Sequence, residues 1–264
     1  MQAAKSSLAL VALMTICACS QPAGNAAGAA DEAGASSERQ YQAAPDLTGA
    51  NPLRDGRIQL VGHAAPGAAV RLTSPGAVAQ FATADSSGLW RLTIPASGQP
   101  RLFGLSMSAG GRVVQALGYL FVAPGAIARL RVGGGAEVLT RGPRSLGALA
   151  LDYDNKGAAT VSGFAPAGET VALRVDGVER NQAVADQTGR FVSNATPLSI
   201  GAHDFELVSP SGDVRFSTQI GAPTPPAGAP FAAQRQGGAW QVDWITPGGG
   251  EQTTLVFDTG VAAT

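Results

Sequence analysis

Two tryptophans near the end of the sequence could form a binding platform. Trp240 and Trp244 are four positions apart, with Val242 midway between them. In an extended strand all three side chains project from one face. Two aromatic rings on one face can stack on a sugar or a peptide, and they can equally pack inside a small sandwich. The sequence therefore offers a carbohydrate- or peptidoglycan-binding platform as a candidate site, with core packing as the alternative.

A second pair of residues has the spacing of calcium ligands. Asp152 and Asp154 begin the segment Asp-Tyr-Asp-Asn-Lys-Gly, and oxygen ligands at alternate positions before a glycine suit Ca²⁺. Lys156 places an ammonium group where a third ligand would lie, and Gly163 occupies the twelfth position, where a glutamate would be expected. The segment is a weak calcium candidate, and a plain turn is the other interpretation.

The remaining sequence lacks a recognisable catalytic set. Its two histidines, His63 and His203, do not align in the internal repeat described below, and Lys156 is the only lysine beyond the N-terminal 20 residues. No Gly-x-Ser-x-Gly elbow and no phosphate-binding loop occurs. Only 14% of the residues are charged, and the net charge of -1 is too small to attract nucleic acid. We expect a protein that is not an enzyme, needs no cofactor and has no nucleic-acid partner.

The N-terminus has the features of an export signal. Lys5 precedes an apolar stretch over residues 6–18, which is shorter than the ~20 residues of a membrane-spanning helix. The stretch ends in Ile16-Cys17-Ala18-Cys19-Ser20. This resembles a bacterial lipoprotein signal, with a branched apolar residue three positions before the cysteine and a small residue just before it. The resemblance implies that Cys19 carries a lipid, whereas the alternative is ordinary signal cleavage after Ser20.

Lipidation would also set the location of the protein. By the same resemblance, Ser20 after the cysteine implies anchoring to the outer membrane, facing either the periplasm or the cell surface. Residues 20–50 are rich in Ala, Gly and Ser, and we expect a disordered tether because they offer little apolar area to bury. Both cysteines, Cys17 and Cys19, lie in the signal segment, so the folded part must be stable without disulfides.

An internal repeat organises the rest of the chain. When the sequence is shifted by 101 residues, ten of thirty positions match between 61–90 and 162–191 without a gap. Within each copy, apolar residues alternate with polar ones, as in Val70 and Leu72 or Val171 and Leu173. This period of two predicts strands with one buried face, and the turn signals between them predict a sandwich or barrel.

Each copy also contains the same turn. Asp85 is followed three residues later by Gly88, and Asp186 by Gly189. An aspartate can accept hydrogen bonds from the backbone of its own turn, while the glycine adopts a positive φ. We therefore predict that both aspartates cap turns and do not bind metal.

These repeated elements resemble the bacterial Ig-like modules of exported and surface proteins. Each copy has Gly-x-Ala (Gly62 to Ala64; Gly163 to Ala165), then Gly-x-x-Val-x-Leu, a hairpin, and Ala-Asp-x-x-Gly before an aromatic residue, Trp90 or Phe191. The resemblance implies an all-β fold with two tandem Ig-like β-sandwich domains. The predicted boundaries are 1–19 for the lipoprotein signal, 20–50 for the tether, 51–123 for the first sandwich, 124–222 for the second, and 223–264 for a Pro-rich linker with a C-terminal β-hairpin.

The position of residues 124–150 is ambiguous. They either extend the first repeat or supply the first strands of the second sandwich, and the boundary at 124 follows the second option. Together these features predict a non-catalytic envelope lipoprotein that displays Ig-like modules for binding, adhesion or spacing. Its partners would be the membrane, through the lipid, and envelope polysaccharide or a protein.

Overall fold

The fold is all-β, as the sequence predicts. The computed structural model describes residues 42–139, 145–224, 227 and 229–262. These residues form nineteen strands in four antiparallel sheets, which we call sheets A to D. The part of the chain described here has no helix long and apolar enough to cross a membrane.

Sheets A and B form the first sandwich. Sheet A has the order β1-β2-β5, and sheet B has the order β4-β3-β6-β7-β8-β9. The strands are β1 (Asp46–Pro52), β2 (Ile58–His63), β3 (Ala69–Thr73), β4 (Gln80–Thr83), β5 (Leu89–Ile94), β6 (Arg101–Ala109), β7 (Arg112–Ala123), β8 (Ala126–Leu130) and β9 (Glu137–Val138).

Sheets C and D form the second sandwich. Sheet C has the order β14-β11-β10-β19-β18-β17, and sheet D has the order β13-β12-β15-β16. The strands are β10 (Gly147–Asp154), β11 (Ala159–Phe164), β12 (Thr170–Val175), β13 (Val178–Val184), β14 (Arg190–Asn194), β15 (Gly201–Ser209), β16 (Gly212–Ile220), β17 (Phe231–Gln236), β18 (Ala239–Ile245) and β19 (Glu251–Ala262).

The 101-residue repeat is also a structural repeat. Strand β1 begins at Asp46 and its counterpart β10 at Gly147, and each has a register shift between its second and fourth residues. Both capped turns form as predicted. One carboxylate oxygen of Asp85 accepts the Ser87 and Leu89 N–H groups, and Asp186 accepts the corresponding groups of its own turn. Gly88 and Gly189 have φ near +80°.

The sandwich boundaries differ from those predicted. Residues 46–50, assigned to the tether, lie in β1 because they pair with β2. Residues 126–138, assigned to the second sandwich, form β8 and β9, which extend sheet B from β7. The C-terminal hairpin is not an appended tail, since β19 pairs with nearly the whole length of β10, and β18 and β17 continue the same sheet. The sequence pattern predicts the hairpin formed by β18 and β19, but it does not predict β1, β8, β9 or β17, nor the partners of any of these strands.

In both copies of the repeat, a glycine on one strand pairs with an aromatic residue on the next strand. Gly62 pairs with Trp90 across sheet A, and Gly163 pairs with Phe191 across sheet C. A Cβ on Gly62 would lie 2.0 Å from the carbonyl oxygen of Asp46 and 2.6 Å from the Trp90 ring. The absence of a side chain at Gly62 and Gly163 therefore lets each aromatic ring lie against the backbone of the neighbouring strand.

The four sheets are stacked through three apolar layers. One layer lies between sheets A and B, and a second lies between sheets C and D. The third layer joins sheet B to sheet C and contains Leu102, Phe121, Ala123, Ala126, Ala128, Leu130, Ala136, Val138, Leu149, Ala150, Trp240, Val242, Trp244 and Val256. We call this third layer the seam.

We expect Gly62→Ala to destabilise the first sandwich. The added methyl group must displace backbone or the Trp90 ring, and overpacking of this kind costs about 1–3 kcal/mol. Urea unfolding measures this loss. Gly98→Ala is the matched control, because a Cβ there meets nothing within 4 Å. Equal unfolding midpoints for the two variants would contradict the packing role of Gly62.

Candidate functional site: the seam between the two sandwiches

The seam is built by the segments that lie outside the repeat. Strands β8 and β9 come from residues 124–139, and β17 to β19 come from residues after 230. They meet at residues 120–123, the end of β7, and at β10, where side chains are buried on both faces of the sheet. In β7, Leu120 and Val122 face the first core, while Phe121 and Ala123 face the seam. The seam thus joins two repeats that would otherwise share only a connecting chain.

Both candidate platform tryptophans lie inside the seam. Trp240 is 8% exposed and Trp244 is 1% exposed. A stacking platform needs a solvent-facing ring, so this burial is inconsistent with the carbohydrate-binding site that the sequence offered. Trp240, Val242 and Trp244 do share one face of β18, as their spacing predicts, but sheet B covers that face.

The tryptophans contact specific groups of the first sandwich. The Trp244 ring meets Tyr119 edge-on, with centroids 5.8 Å apart, and the Trp240 ring meets Phe121 at 6.3 Å. Trp240 Nε1 donates a hydrogen bond to the carbonyl oxygen of Pro124 at 3.2 Å. Both indole rings make apolar contacts across the seam, and Trp240 also makes a hydrogen bond across it. Because a hydrogen bond is directional, it restricts the orientation of one sandwich relative to the other more than burial alone would.

Asp152 is a buried carboxylate in the same seam and is 3% exposed. Its oxygens accept hydrogen bonds from the backbone N–H of Ala136 at 2.5 Å, the hydroxyl of Thr254 at 2.6 Å and the amide of Gln252 at 3.2 Å. Ser162 also donates to the carbonyl of Ala136. The backbone at Ala136, just before β9, is thereby tied to sheet C through both its N–H and its C=O.

Burial raises the pKa of Asp152 from 3.8 to about 6. The hydrogen bonds from Thr254, Ala136 and Gln252 and the charge of Arg131 oppose this shift but do not cancel it. Desolvation prevails because transfer of a carboxylate out of water is costly, even when it is hydrogen-bonded.

The two carboxylates of the calcium candidate have different hydrogen-bond partners and do not form one site. Asp154 Oδ1 accepts the N–H groups of Lys156 and Ala158 and so caps the turn between β10 and β11, while Asp152 is engaged in the seam. Among the described residues, no group of three or more His, Cys, Asp or Glu side chains could hold a metal. The plain-turn interpretation accounts for Asp154, and the structure supports neither residue as a calcium ligand.

His203 has a Ser-His-Asp arrangement that the sequence did not suggest. Its Nδ1 lies 2.7 Å from Asp176 Oδ2, and its Nε2 lies 2.8 Å from the carbonyl oxygen of Ser199 and 3.3 Å from that residue's hydroxyl. Burial lowers the pKa of His203, but its hydrogen bonds to Asp176 and to Ser199 raise it on balance. Since the Nε2 proton is donated to the nearer carbonyl, the imidazole ties two loops together and is not placed to act as a base on the serine.

A cleft lies beside the seam where β9 approaches β14. Its walls include Arg131, Glu137, Arg190 and Val192. Glu137 forms ion pairs with Arg129 and with Arg190, the latter at 3.3 Å, and Arg131 donates hydrogen bonds to the carbonyl oxygens of Gly134 and Gly135. The Glu137–Arg190 ion pair adds a further polar contact between the two sandwiches.

Two of the predicted features lie outside the described residues. The lipidation candidate Cys19 and the signal segment fall within residues 1–41, as does most of the predicted tether. They remain predictions from the sequence.

Comparison with known proteins gives distant structural similarities. No protein-family model and no curated protein matches the chain. The chain is similar to the central fibronectin-III array of RIM-binding protein, with 17% identity over 76% of this chain and 71% of that one and a TM-score of 0.26. It is also similar to the BSP domain of a biofilm-associated protein, with 14% identity over 69% and 30% and a TM-score of 0.22. A third similarity is to Yersinia pseudotuberculosis InvD, with 16% identity over 83% and 80% and a TM-score of 0.22.

We expect the seam to weaken as the pH rises through 6. The folded-state pKa of Asp152 is above its unfolded value, so its contribution to stability is fully present below pH 3.8 and is lost as the pH rises through about 6. Asp152→Asn removes this titration. The free energy of unfolding of the variant minus that of the wild type should therefore increase between pH 4 and pH 7, by up to about 3 kcal/mol.

Urea unfolding at several pH values measures this difference. Asp213→Asn, at an exposed carboxyl on β16, is the matched control and should follow the wild type. A difference between Asp152→Asn and wild type that does not change with pH would contradict the account of the buried carboxylate.

Proposed function

We propose that the chain is a non-catalytic lipoprotein of the bacterial cell envelope that displays a fixed pair of Ig-like sandwiches for binding, adhesion or spacing. The observation that supports this role best is the seam. Two sandwiches joined only by a linker would reorient freely, whereas an apolar seam makes one rigid body from them. A rigid body of four stacked sheets suits a protein that holds a binding surface at a set distance.

Each part of the chain has a role in this proposal. A lipid on Cys19 anchors the protein to the outer membrane, and the segment between Ser20 and Asp46 provides reach. The joined sandwiches carry the contact surface, facing the periplasm or the cell surface. With Trp240 and Trp244 buried, a polysaccharide would have to bind elsewhere, and we favour a protein partner.

Conversion of the lipidation cysteine tests the anchor. In cells fed radiolabelled palmitate, wild-type protein should incorporate label and sediment with the outer membrane, while Cys19→Ala should lose both properties. Cys17→Ala is the matched control, two residues away in the same signal, and should behave as wild type. Unchanged labelling and sedimentation of Cys19→Ala would contradict the proposal.

A further inference from the structure

Sheets B and C are stacked with an offset of two strands. Strand β18 packs on β7 through Trp240 and Trp244, and β19 and β10 contact β8 and β9. Phe231 and Ala233 of β17 pack against the same layer as Leu102 of β6. Strand β17 is the last strand of sheet C, and it lies opposite β6 of sheet B. Sheet B has two more strands beyond β6, namely β3 and β4. The outer faces of β3 and β4 therefore extend beyond the edge of sheet C, and no strand of the described residues covers them.

The outer edge of β17 presents backbone groups that pair with no other described strand. The N–H of Ile245 donates to the carbonyl of Pro230, so residue 230 directs its backbone toward β18. Hydrogen-bonded and non-hydrogen-bonded positions alternate along an antiparallel pair. In the register that pairs Phe231 with Trp244, the N–H and C=O groups of Phe231, Ala233 and Arg235 therefore point away from the sheet.

This edge lacks the usual protection against strand pairing. Natural edge strands are commonly blocked by proline or by protruding charges. Strand β17 (Phe231–Gln236) contains no proline, and its only charged residue is Arg235. The Arg235 guanidinium lies 5.0 Å from the centre of the Trp240 ring and forms a salt bridge with Asp258. Its charge is thereby held over sheet C instead of projecting from the edge.

The floor beside this edge contains one large apolar side chain and one positive charge. On the outer face of sheet B, Phe81 of β4 is paired with Arg71 of β3. Phe81 is 64% exposed, and Arg71 is exposed with no hydrogen bond or ion pair to any described residue. We call this floor, together with the outer edge of β17, the notch.

We propose that the notch binds an extended peptide of a partner protein, which adds as a further strand to β17. The backbone groups of Phe231, Ala233 and Arg235 would form the ladder, and alternate side chains of the peptide would face the floor. Those side chains should be apolar where they meet Phe81 and acidic where they meet Arg71. This site deepens the proposed display role by naming its contact surface, and it can be tested on purified protein without the lipid.

Selection from a peptide library tests the notch directly. Phage displaying random peptides of about ten residues are panned against the full chain carrying Cys19→Ser, and the most enriched peptide is synthesised with a fluorescent label. We expect an acidic residue flanked by apolar residues two positions away, and saturable binding by fluorescence anisotropy.

Two variants separate the edge from the floor. Ala233→Pro removes an outward N–H that the sheet does not use, and proline is tolerated at such edge positions. Arg71→Glu reverses the charge of the floor. Each should weaken binding about tenfold or more, and replacement of the peptide's acid by lysine should restore binding to Arg71→Glu. Arg54→Glu, at another exposed arginine, is the matched control and should bind as wild type.

Three results would overturn the proposal. The first is failure to enrich any peptide that binds saturably, and the second is binding that either Ala233→Pro or Arg71→Glu leaves unchanged. The third is a dimer in sedimentation velocity that Ala233→Pro abolishes, because a second copy of the chain would then occupy the edge. None of these results depends on Cys19, so failure here is distinguishable from failure of the envelope proposal.

Discussion

The apolar contact between sheets B and C is the interaction on which the rest of the structure depends. Each tryptophan in it can bury 150–250 Å², which corresponds to roughly 4–6 kcal/mol of transfer free energy as an upper limit. Two such residues approach the ~5–15 kcal/mol that stabilises a whole domain. Exposure of this surface would leave sheet C with an apolar outer face around Val242 and Val256. The second sandwich is thus complete only when the first covers it.

The repeated cores could be predicted from sequence because their signals are local. Alternation at Val70 and Leu72, the aspartate-capped turn at Asp85 and the residues Gly62 and Trp90 each lie within one copy and have counterparts in the other. These features identified the all-β class and the sandwich architecture. They describe how a repeat folds and contain no information about what its outer face contacts.

The seam could not be predicted from the same signals. Trp240 contacts Pro124, 116 residues away, and neither of their segments belongs to the repeat. The spacing of Trp240 and Trp244 therefore predicts that they share one face of a strand. It does not predict whether solvent or another sheet contacts that face. One signal was available: the apolar runs at 119–123 and 147–151 lack alternation, and such runs are typical of strands buried on both faces. The contact of Asp152 with Ala136 across the seam had no comparable signal, because Ala136 contributes only its backbone N–H.

The central claim is that the two sandwiches form one cooperative body, and hydrogen exchange across a urea series tests it most directly. Amide protection measured by mass spectrometry follows strands β2 and β12, one in each sandwich, in the same sample. The account predicts that both strands of the wild type lose protection at the same urea concentration. It also predicts that Trp240→Ala/Trp244→Ala separates the two transitions. Separate transitions in the wild type would contradict the claim, since the seam would then not join the sandwiches energetically.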